Sequence, residues 1–372
     1  MDKLDIHGFF ILTSCLQPRD IKALGTSSKY IYNKCSQFMT YSYNEHGHDE
    51  SYCKLKHAKW IVNTRDINII LDCIHKNLIL VKLVLHDGIQ DFGIISRLTH
   101  LRYIEFGSSL NPPITFIADC TNLEQIVFGP VFTKSIEPLC RCTKLKYITF
   151  RDCPEQPTNN INRCTHLQRI EYGSNFNQTI GAISNCTNLQ QITFGRRFNQ
   201  PIEYLVSCTN LQQITFGRNF NQPIGALAEC TNLQQITFGG DFNQTIEALA
   251  NCTDLQQITF GVEFNQPVEA LAKCINLQQI TFSKYSQFNQ SIEALAKCTN
   301  LQQITFGVEF NQPIEALTKC TNLQQITFGG NFNQPIETLA KCTNLQQITF
   351  NNKFNQPIEA LANLPNLKIT HY

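Results

Sequence analysis

Apolar residues recur along most of this chain in one fixed order, with polar or small residues between them. The stretch Cys208 to Glu229, CTNLQQITFGRNFNQPIGALAE, shows the order once. Ile214 and Phe216 alternate with Gln213 and Thr215, which predicts a short strand. Its apolar side points into a core and Gln213 and Thr215 lie on the opposite face. Gly217 is expected to let the chain turn, and Phe220 to re-enter the core. Asn221 is expected to satisfy backbone groups in the turn. Pro223 suits the first position of a short helix, with Gln222 or Asn221 as its cap. Ile224, Leu227 and Cys230 are spaced to line one face of an α or 3₁₀ turn, and Asn232 ends that turn before the next strand.

The same order returns every 22 residues, marked by Cys120, Cys142, Cys164, Cys186, Cys208, Cys230, Cys252 and Cys274. Cys298 follows after 24, and Cys320 and Cys342 restore the period. The string LQQITF occurs eight times in this frame. A fixed period of this length means stacked units rather than one globular core. The L-x-x-I-x-F spacing of Leu211, Ile214 and Phe216 is that of a leucine-rich-repeat strand. The fold class expected is an α/β repeat: a leucine-rich-repeat-like solenoid with one parallel β-sheet face and short α or 3₁₀ turns opposite, preceded by a small N-terminal helical unit. One unit carries half a core. Burial of each large side chain, worth about 1.5–3 kcal/mol, becomes possible only when copies stack, so a unit alone should not fold.

The frame divides the chain into 1–40, a helical unit, 41–76, a linker and helical connector, and 77–372, the solenoid. A looser unit with Leu80, Leu83 and Leu85 is expected to cap the N-terminal end of the stack. The unit from Cys142 to Arg163 is degenerate, with Pro154 in place of the Phe and Thr158 in place of the Ile. Between Phe282 and Phe288 two extra residues enlarge a turn around Lys284 and Tyr285.

Charge and cysteine content narrow the picture. The formal net charge is +1, from 30 basic and 29 acidic residues, with no basic stripe of the kind nucleic acid demands. Eleven of the 17 cysteines occupy one repeat position. Stacked neighbours there would lie ~5 Å apart, within disulfide reach. The odd total and the absence of a secretory leader favour buried free thiols in a reducing compartment. GFFILTSC (Gly8 to Cys15) loosely matches a lipoprotein cleavage box, but its apolar run is short and only Lys3 precedes it, beside Asp2 and Asp5, so no leader is expected. No stretch approaches the ~20 apolar residues of a membrane span. A cytoplasmic monomer is expected, in the host cytoplasm if the source is viral.

The segment LQQITFGRNFNQPI closely resembles the FNIP repeat, a leucine-rich-repeat relative of social amoebae and of giant DNA viruses that infect amoebae. Nine copies of Phe-Asn-Gln, six running on to Pro-Ile or Pro-Val, carry the resemblance. The period is also similar to that of bacterial BspA-like repeats, which lack the Phe-Asn-Gln-Pro run. Near the N-terminus, Leu16-Gln-Pro-Arg-Asp20-Ile-Lys-Ala-Leu24 followed by Ser28-Lys-Tyr-Ile-Tyr32 looks like the middle of an F-box. Pro18 and Asp20 suit the first turn of a helix. The usual opening Leu-Pro-x-Glu is Asp5-Ile6-His7-Gly8 here, and the usual downstream Trp is Ile31 or Tyr32. The resemblance implies docking on the Skp-type adaptor of a cullin ubiquitin ligase through Leu16, Pro18, Ile21 and Leu24. The same segment also reads as an ordinary helical cap.

Candidate chemistry is sparse. His46, His48, Asp49, Cys53 and His57 have metal-ligand side chains, but their spacing is not that of a zinc site, and no metal or other cofactor is expected. No nucleophile elbow, P-loop or H-E-x-x-H is present. No residue inside the array is singular, which argues against an enzyme. The function expected is an adaptor whose F-box-like segment recruits the ligase and whose solenoid holds a substrate protein. The alternative is a stand-alone binding scaffold with no ligase link. Two surfaces compete for the partner: the strand face, with Gln213, Thr215, Gln235, Thr237, Gln257 and Thr259, and the turn after each strand, where Arg196 and Arg197 stand out. A surface tuned to one irregular epitope should vary between units, and the turn varies most.

Overall fold

The computed structural model describes residues 40–43, 59–75, 79–152, 158–364 and 366–371. The F-box-like positions Leu16, Pro18, Ile21 and Leu24, the group His46, His48, Asp49, Cys53 and His57, and Pro154 lie outside the described residues. The chain divides into two compact units, residues 1–145 and 146–372.

In the first unit the strands β1 (Thr40–Tyr43), β2 (Lys59–Thr64), β3 (Ile79–Leu85), β4 (Tyr103–Phe106) and β5 (Gln125–Phe128) each run parallel to the next. Helix α1 (Ile67–His75) joins β2 to β3. A helix start leaves amides without partners, and here the Asn68 amide donates to Asp66 Oδ1 at 2.8 Å, an N-cap bond. The stretch 41–76, expected as linker and helical connector, therefore contributes two strands as well as the helix. Leu80, Leu83 and Leu85 are buried on β3 as expected, but their unit does not end the stack. Strand β2 pairs on its outer side, through a register shift between Trp60 and Ile61. That irregularity removes β2 from the repeat frame, which is why the period did not announce it.

The second unit contains β6 (Tyr147–Phe150), β7 (Arg169–Glu171), β8 (Gln191–Thr193), β9 (Gln213–Thr215), β10 (Gln235–Thr237), β11 (Gln257–Phe260), β12 (Gln279–Phe282), β13 (Gln303–Thr305), β14 (Gln325–Thr327), β15 (Gln347–Phe350) and β16 (Lys368–His371). All pairs are parallel and in register, so that Gln213 lies opposite Gln235 and Gln235 opposite Gln257. Each layer closes through a 3₁₀ turn, such as Gly225–Glu229. This is the leucine-rich-repeat solenoid fold expected from the period.

The core is a set of columns, one per apolar position. Leu211, Ile214, Phe216, Phe220, Ile224, Leu227 and Cys230 are all 2 % exposed or less. Within a layer the rings of Phe216 and Phe220 stack at 3.9 Å between centroids. Between layers Phe216 stacks on Phe238 at 5.7 Å and Phe220 on Phe242 at 6.0 Å. Each aromatic residue thus touches its own copies above and below. The two-residue insertion leaves both columns unbroken: Phe282 and Phe288 stack at 4.0 Å, while Lys284 and Tyr285 loop outward.

Three local expectations are corrected. Gly217 does not serve a left-handed turn; among the described glycines only Gly88 has a positive φ, of 109°. Instead, a Cβ on Gly217 would overlap the carbonyl oxygen of Gly195 in the layer before, and Gly239 stands in the same relation to Gly217. Pro223 is not the first residue of the 3₁₀ turn, which begins at Gly225, and no side chain caps it. Asn221 bonds between layers, not within its own turn. Its amide N–H donates to Asn199 Oδ1 at 2.9 Å, and its own Oδ1 accepts from the Asn243 amide at 2.9 Å and from Gln244 Nε2 at 3.0 Å. Asn232 likewise reaches back, donating from Nδ2 to the Thr209 carbonyl at 2.9 Å. These bonds supply partners to loop amides that a strand ladder cannot reach.

Every described cysteine is a free thiol. In the array the thiol points at the carbonyl of the previous 3₁₀ turn: Cys252 Sγ donates to the Leu227 oxygen at 3.4 Å and Cys274 Sγ to the Leu249 oxygen at 3.4 Å. Burial disfavours the thiolate and pushes Cys230, Cys252, Cys274, Cys298 and Cys320 from an ordinary 9.0 up to about 12. A folded-state pKa above the unfolded value means stability that is complete below pH 9 and lost as pH rises toward 12. One pH unit above the unfolded value costs about 1.4 kcal/mol per thiol. Denaturant midpoints measured from pH 8 to pH 10.5 are expected to fall steeply above pH 9. Replacing Cys230, Cys252 and Cys274 together by Ala is expected to flatten that slope, and an unchanged slope would refute the assignment.

Tyr172 departs chemically from the aromatic columns. Tyr172 replaces a Phe, stacks on Phe176 at 4.1 Å and on Phe194 at 5.5 Å, and leaves its hydroxyl buried without a partner. An unsatisfied buried hydroxyl costs about 1–3 kcal/mol. Tyr172→Phe is therefore expected to stabilise the protein by about 1 kcal/mol or more in equilibrium unfolding, whereas Phe220→Ala should cost about 3–5 kcal/mol.

Candidate protein-interaction surface

Two surfaces flank the strands of the second unit, and they differ in what the fold leaves free. On the strand face Gln213, Gln235 and Thr215, Thr237 and Thr259 are half-buried, while Gln257 is exposed. The cause is crowding. Each side chain has an identical neighbour on both sides at the strand spacing of ~4.8 Å, so much of its surface is covered by its own copies. The result is a flat, uncharged surface that repeats from β8 to β15. It changes character at β6 and β7, where Arg169 lies over the Tyr147 ring at 5.4 Å and Thr149 Oγ1 donates to Glu171 Oε2 at 3.2 Å.

The turn after each strand is the opposite case. Its backbone is fixed by the layers: the Arg197 amide donates to the Ser174 carbonyl at 2.9 Å and the Asn219 amide to the Arg196 carbonyl at 2.9 Å. Its side chains leave the layer and differ from unit to unit. Some are held by neighbours. Arg218 Nε lies 3.9 Å from Asp241 Oδ1, Gln287 Nε2 donates to Glu263 Oε2 at 2.8 Å, and Asn331 Nδ2 donates to Glu309 Oε2 at 2.9 Å. The Asp152 carboxyl is held below its ordinary pKa by hydrogen bonds from the Ser174 backbone and hydroxyl. Arg196 and Arg197 are both exposed, and neither has an ion-pair partner among the described residues. They are the one adjacent pair of arginines in the sequence.

The same unit carries a feature that the repeat pattern obscured. In its 3₁₀ turn Glu203–Ser207, Tyr204 and Val206 are 38 % and 48 % exposed. Five other units have Ala at both positions, as Ala226 and Ala228 do. The Tyr204 ring lies over Gly181 of the preceding turn, 3.4 Å from where a Cβ would stand. Tyr-x-Val in place of Ala-x-Ala is legible in the sequence, at positions that lie outside the apolar repeat frame.

Nothing in the described residues assembles a reactive constellation. No group of three or more His, Cys, Asp or Glu side chains is placed to hold a metal among them. A cleft of about 560 Å³ in the first unit is lined by Ile114, Ala118, Lys134, Glu137, Cys140 and Arg141 among others. No helix among the described residues is long and apolar enough to cross a membrane.

Among solved structures, CroV588, a circular leucine-rich-repeat protein of a giant virus, is 30 % identical with a TM-score of 0.67, over 85 % of this chain and 46 % of that one. This chain thus spans less than half of that relative. An internalin, InlF of Listeria monocytogenes, is 20 % identical with a TM-score of 0.62, over 74 % of this chain and 82 % of its own. The functional domain of InlJ from the same organism, which includes a cysteine ladder, is 13 % identical with a TM-score of 0.54, over 77 % and 61 % of the two chains. The two internalins share the fold. No curated protein matches the sequence. Residues 114–200, 179–267 and 267–368 match the family described as BspA type leucine rich repeat region. Leucine-rich-repeat solenoids bind protein partners and are typically non-catalytic scaffolds. Since that match runs over more than half of the residues, the chain belongs to the BspA-type leucine-rich-repeat family.

Proposed function

We propose that this protein is a non-catalytic interaction adaptor, needing no cofactor, in which the solenoid holds a target protein and the N-terminal segment recruits a cullin ubiquitin ligase in the cytoplasm. The observation that carries the solenoid's part is the contrast within one layer. The strand face is uniform and crowded, while Arg196 and Arg197 are exposed, without an ion pair among the described residues, and backed by a loop whose backbone is held by the adjacent layers. A target with an acidic patch fits that edge, and Tyr204 and Val206 give the same unit a second exposed handle. Rigid presentation of two cations costs little ordering on binding, which favours complementary partners over indifferent ones. The ligase link rests on the likeness of Leu16, Pro18, Ile21 and Leu24 to the apolar positions of an F-box. The Phe-Asn-Gln-Pro run supports placing the array among FNIP repeats, where that arrangement occurs. Tethering both partners would raise their effective concentration near each other.

Affinity capture with the full chain tests both halves. Arg196→Glu with Arg197→Glu is expected to reduce target capture at least tenfold, with Gln213→Ala changing it less than twofold; about 1.4 kcal/mol corresponds to each tenfold. The reverse ranking would move the site to the strand face. Leu16→Asp and Ile21→Asp are expected to abolish co-purification with the Skp-type adaptor while leaving target capture intact. Undiminished or absent adaptor binding by the wild type and variants alike would leave the stand-alone scaffold as the function.

A further inference from the structure

The 3₁₀ turns of four consecutive layers carry a charge pattern that the fold does not use. They are Glu269–Lys273, Glu293–Lys297, Glu315–Lys319 and Glu337–Lys341. Each turn begins with Glu and ends with Lys, and all eight residues are exposed. Four residues of 3₁₀ helix separate the two charges by about 8 Å along the turn. No ion pair joins any of the eight to another described residue. Stacked at about 5 Å, the glutamates form one stripe and the lysines a second, parallel one. Like charges at that spacing repel, and no ion pair with another described residue relieves either column. Within the second unit the pattern is confined to these layers, and in the first unit Glu137–Arg141 has the same order of charges in a single layer. The corresponding ends are Gly181 and Asn185, Glu203 and Ser207, Gly225 and Glu229, and Glu247 and Asn251 on one side, and Glu359 and Asn363 on the other, so the adjoining layers keep the Glu and lack the Lys.

Two parallel stripes of opposite sign are complementary to themselves in one orientation. A two-fold axis running along the stack places the Glu stripe of one copy over the Lys stripe of the other, layer against equal layer. A two-fold axis across the stack would set Glu on Glu and Lys on Lys. The residues between the stripes are small, Ala294 and Ala296 in one layer, so the two faces can approach closely. We propose that this turn face is an isologous docking surface for a second copy of the chain, with the two stacks side by side and pointing the same way. The patch spans four layers, about 20 Å, which is small beside a standard interface. The dimer is accordingly weak and controlled by salt. It leaves both the strand face and the Arg196–Arg197 edge open, so it does not depend on the reading of those surfaces.

Sedimentation velocity of the full chain tests the proposal. At about 20 mM salt the sedimentation coefficient is expected to rise with protein concentration, and at about 500 mM, where screening extends over only a few ångströms, to return to the monomer value. A variant with Lys273, Lys297, Lys319 and Lys341 all changed to Glu, and one with Glu269, Glu293, Glu315 and Glu337 all changed to Lys, should each be monomeric alone and dimerise when mixed. A wild-type protein that stays monomeric at low salt up to about 100 µM overturns the proposal, even should a reversed variant fail to fold. Self-association of either folded variant as strong as the wild type's would overturn it too.

Discussion

Everything in this molecule depends on one constraint: a layer of 22 residues cannot bury its apolar side chains except against another layer at strand spacing. The strand ladder sets that spacing on one face, at ~4.8 Å. The rest of the layer has to match it. Aromatic rings do so by stacking in two columns, Phe216 on Phe238 and Phe220 on Phe242. Thiols do so by reaching the previous turn's carbonyl, and Asn221 by handing one side-chain oxygen to the next layer's amide. Glycine does so by being absent beyond Cα, since a Cβ on Gly239 would overlap the Gly217 carbonyl. Where Asn351 takes the glycine's place, its amide donates to the Gly329 oxygen at 2.7 Å, turning the contact into a hydrogen bond.

This constraint separates fold from function along the sequence. Positions that face the next layer keep one residue type in most units, because any change is felt by two neighbours. Positions whose side chains leave the layer are free to vary, and they do: Arg196 and Arg197 on one edge, Tyr204 and Val206 on the turn of the same layer, Glu and Lys on the later turns. The repeated Gln and Thr of the strand face belong to an intermediate class. They are outward-pointing yet crowded by their copies, so they present a uniform surface with little individual reach.

The period made the solenoid legible from sequence, because apolar spacing states directly which side chains share a column. Ile214, Phe216, Phe220, Leu227 and Cys230 could be assigned to the core before any coordinates. The interlayer roles of Gly217, Asn221 and Asn232 could not be read in the same way. Their roles are relations between residue i and its copy a layer away, and a motif read within one unit offers only local explanations such as turns and caps. The strands β1 and β2 escaped for a different reason, since they lie outside the period and one of them shifts register against β3. Charged stripes on the turns were also invisible unit by unit. A single Glu-Ala-Leu-Ala-Lys reads as an ordinary solvated turn, and only stacking turns four of them into a pattern.

The central claim is that layer spacing is fixed by close approach over the whole cross-section and not only by the strands. Equilibrium unfolding of two glycine variants tests it most directly. Gly239→Ala, which sets a methyl against the Gly217 carbonyl, is expected to destabilise the protein by more than about 2 kcal/mol. Gly225→Ala, where nothing lies within 4 Å of the added carbon, should be neutral or stabilising by up to about 1 kcal/mol. Equal effects of the two substitutions, or a neutral Gly239→Ala, would contradict the account.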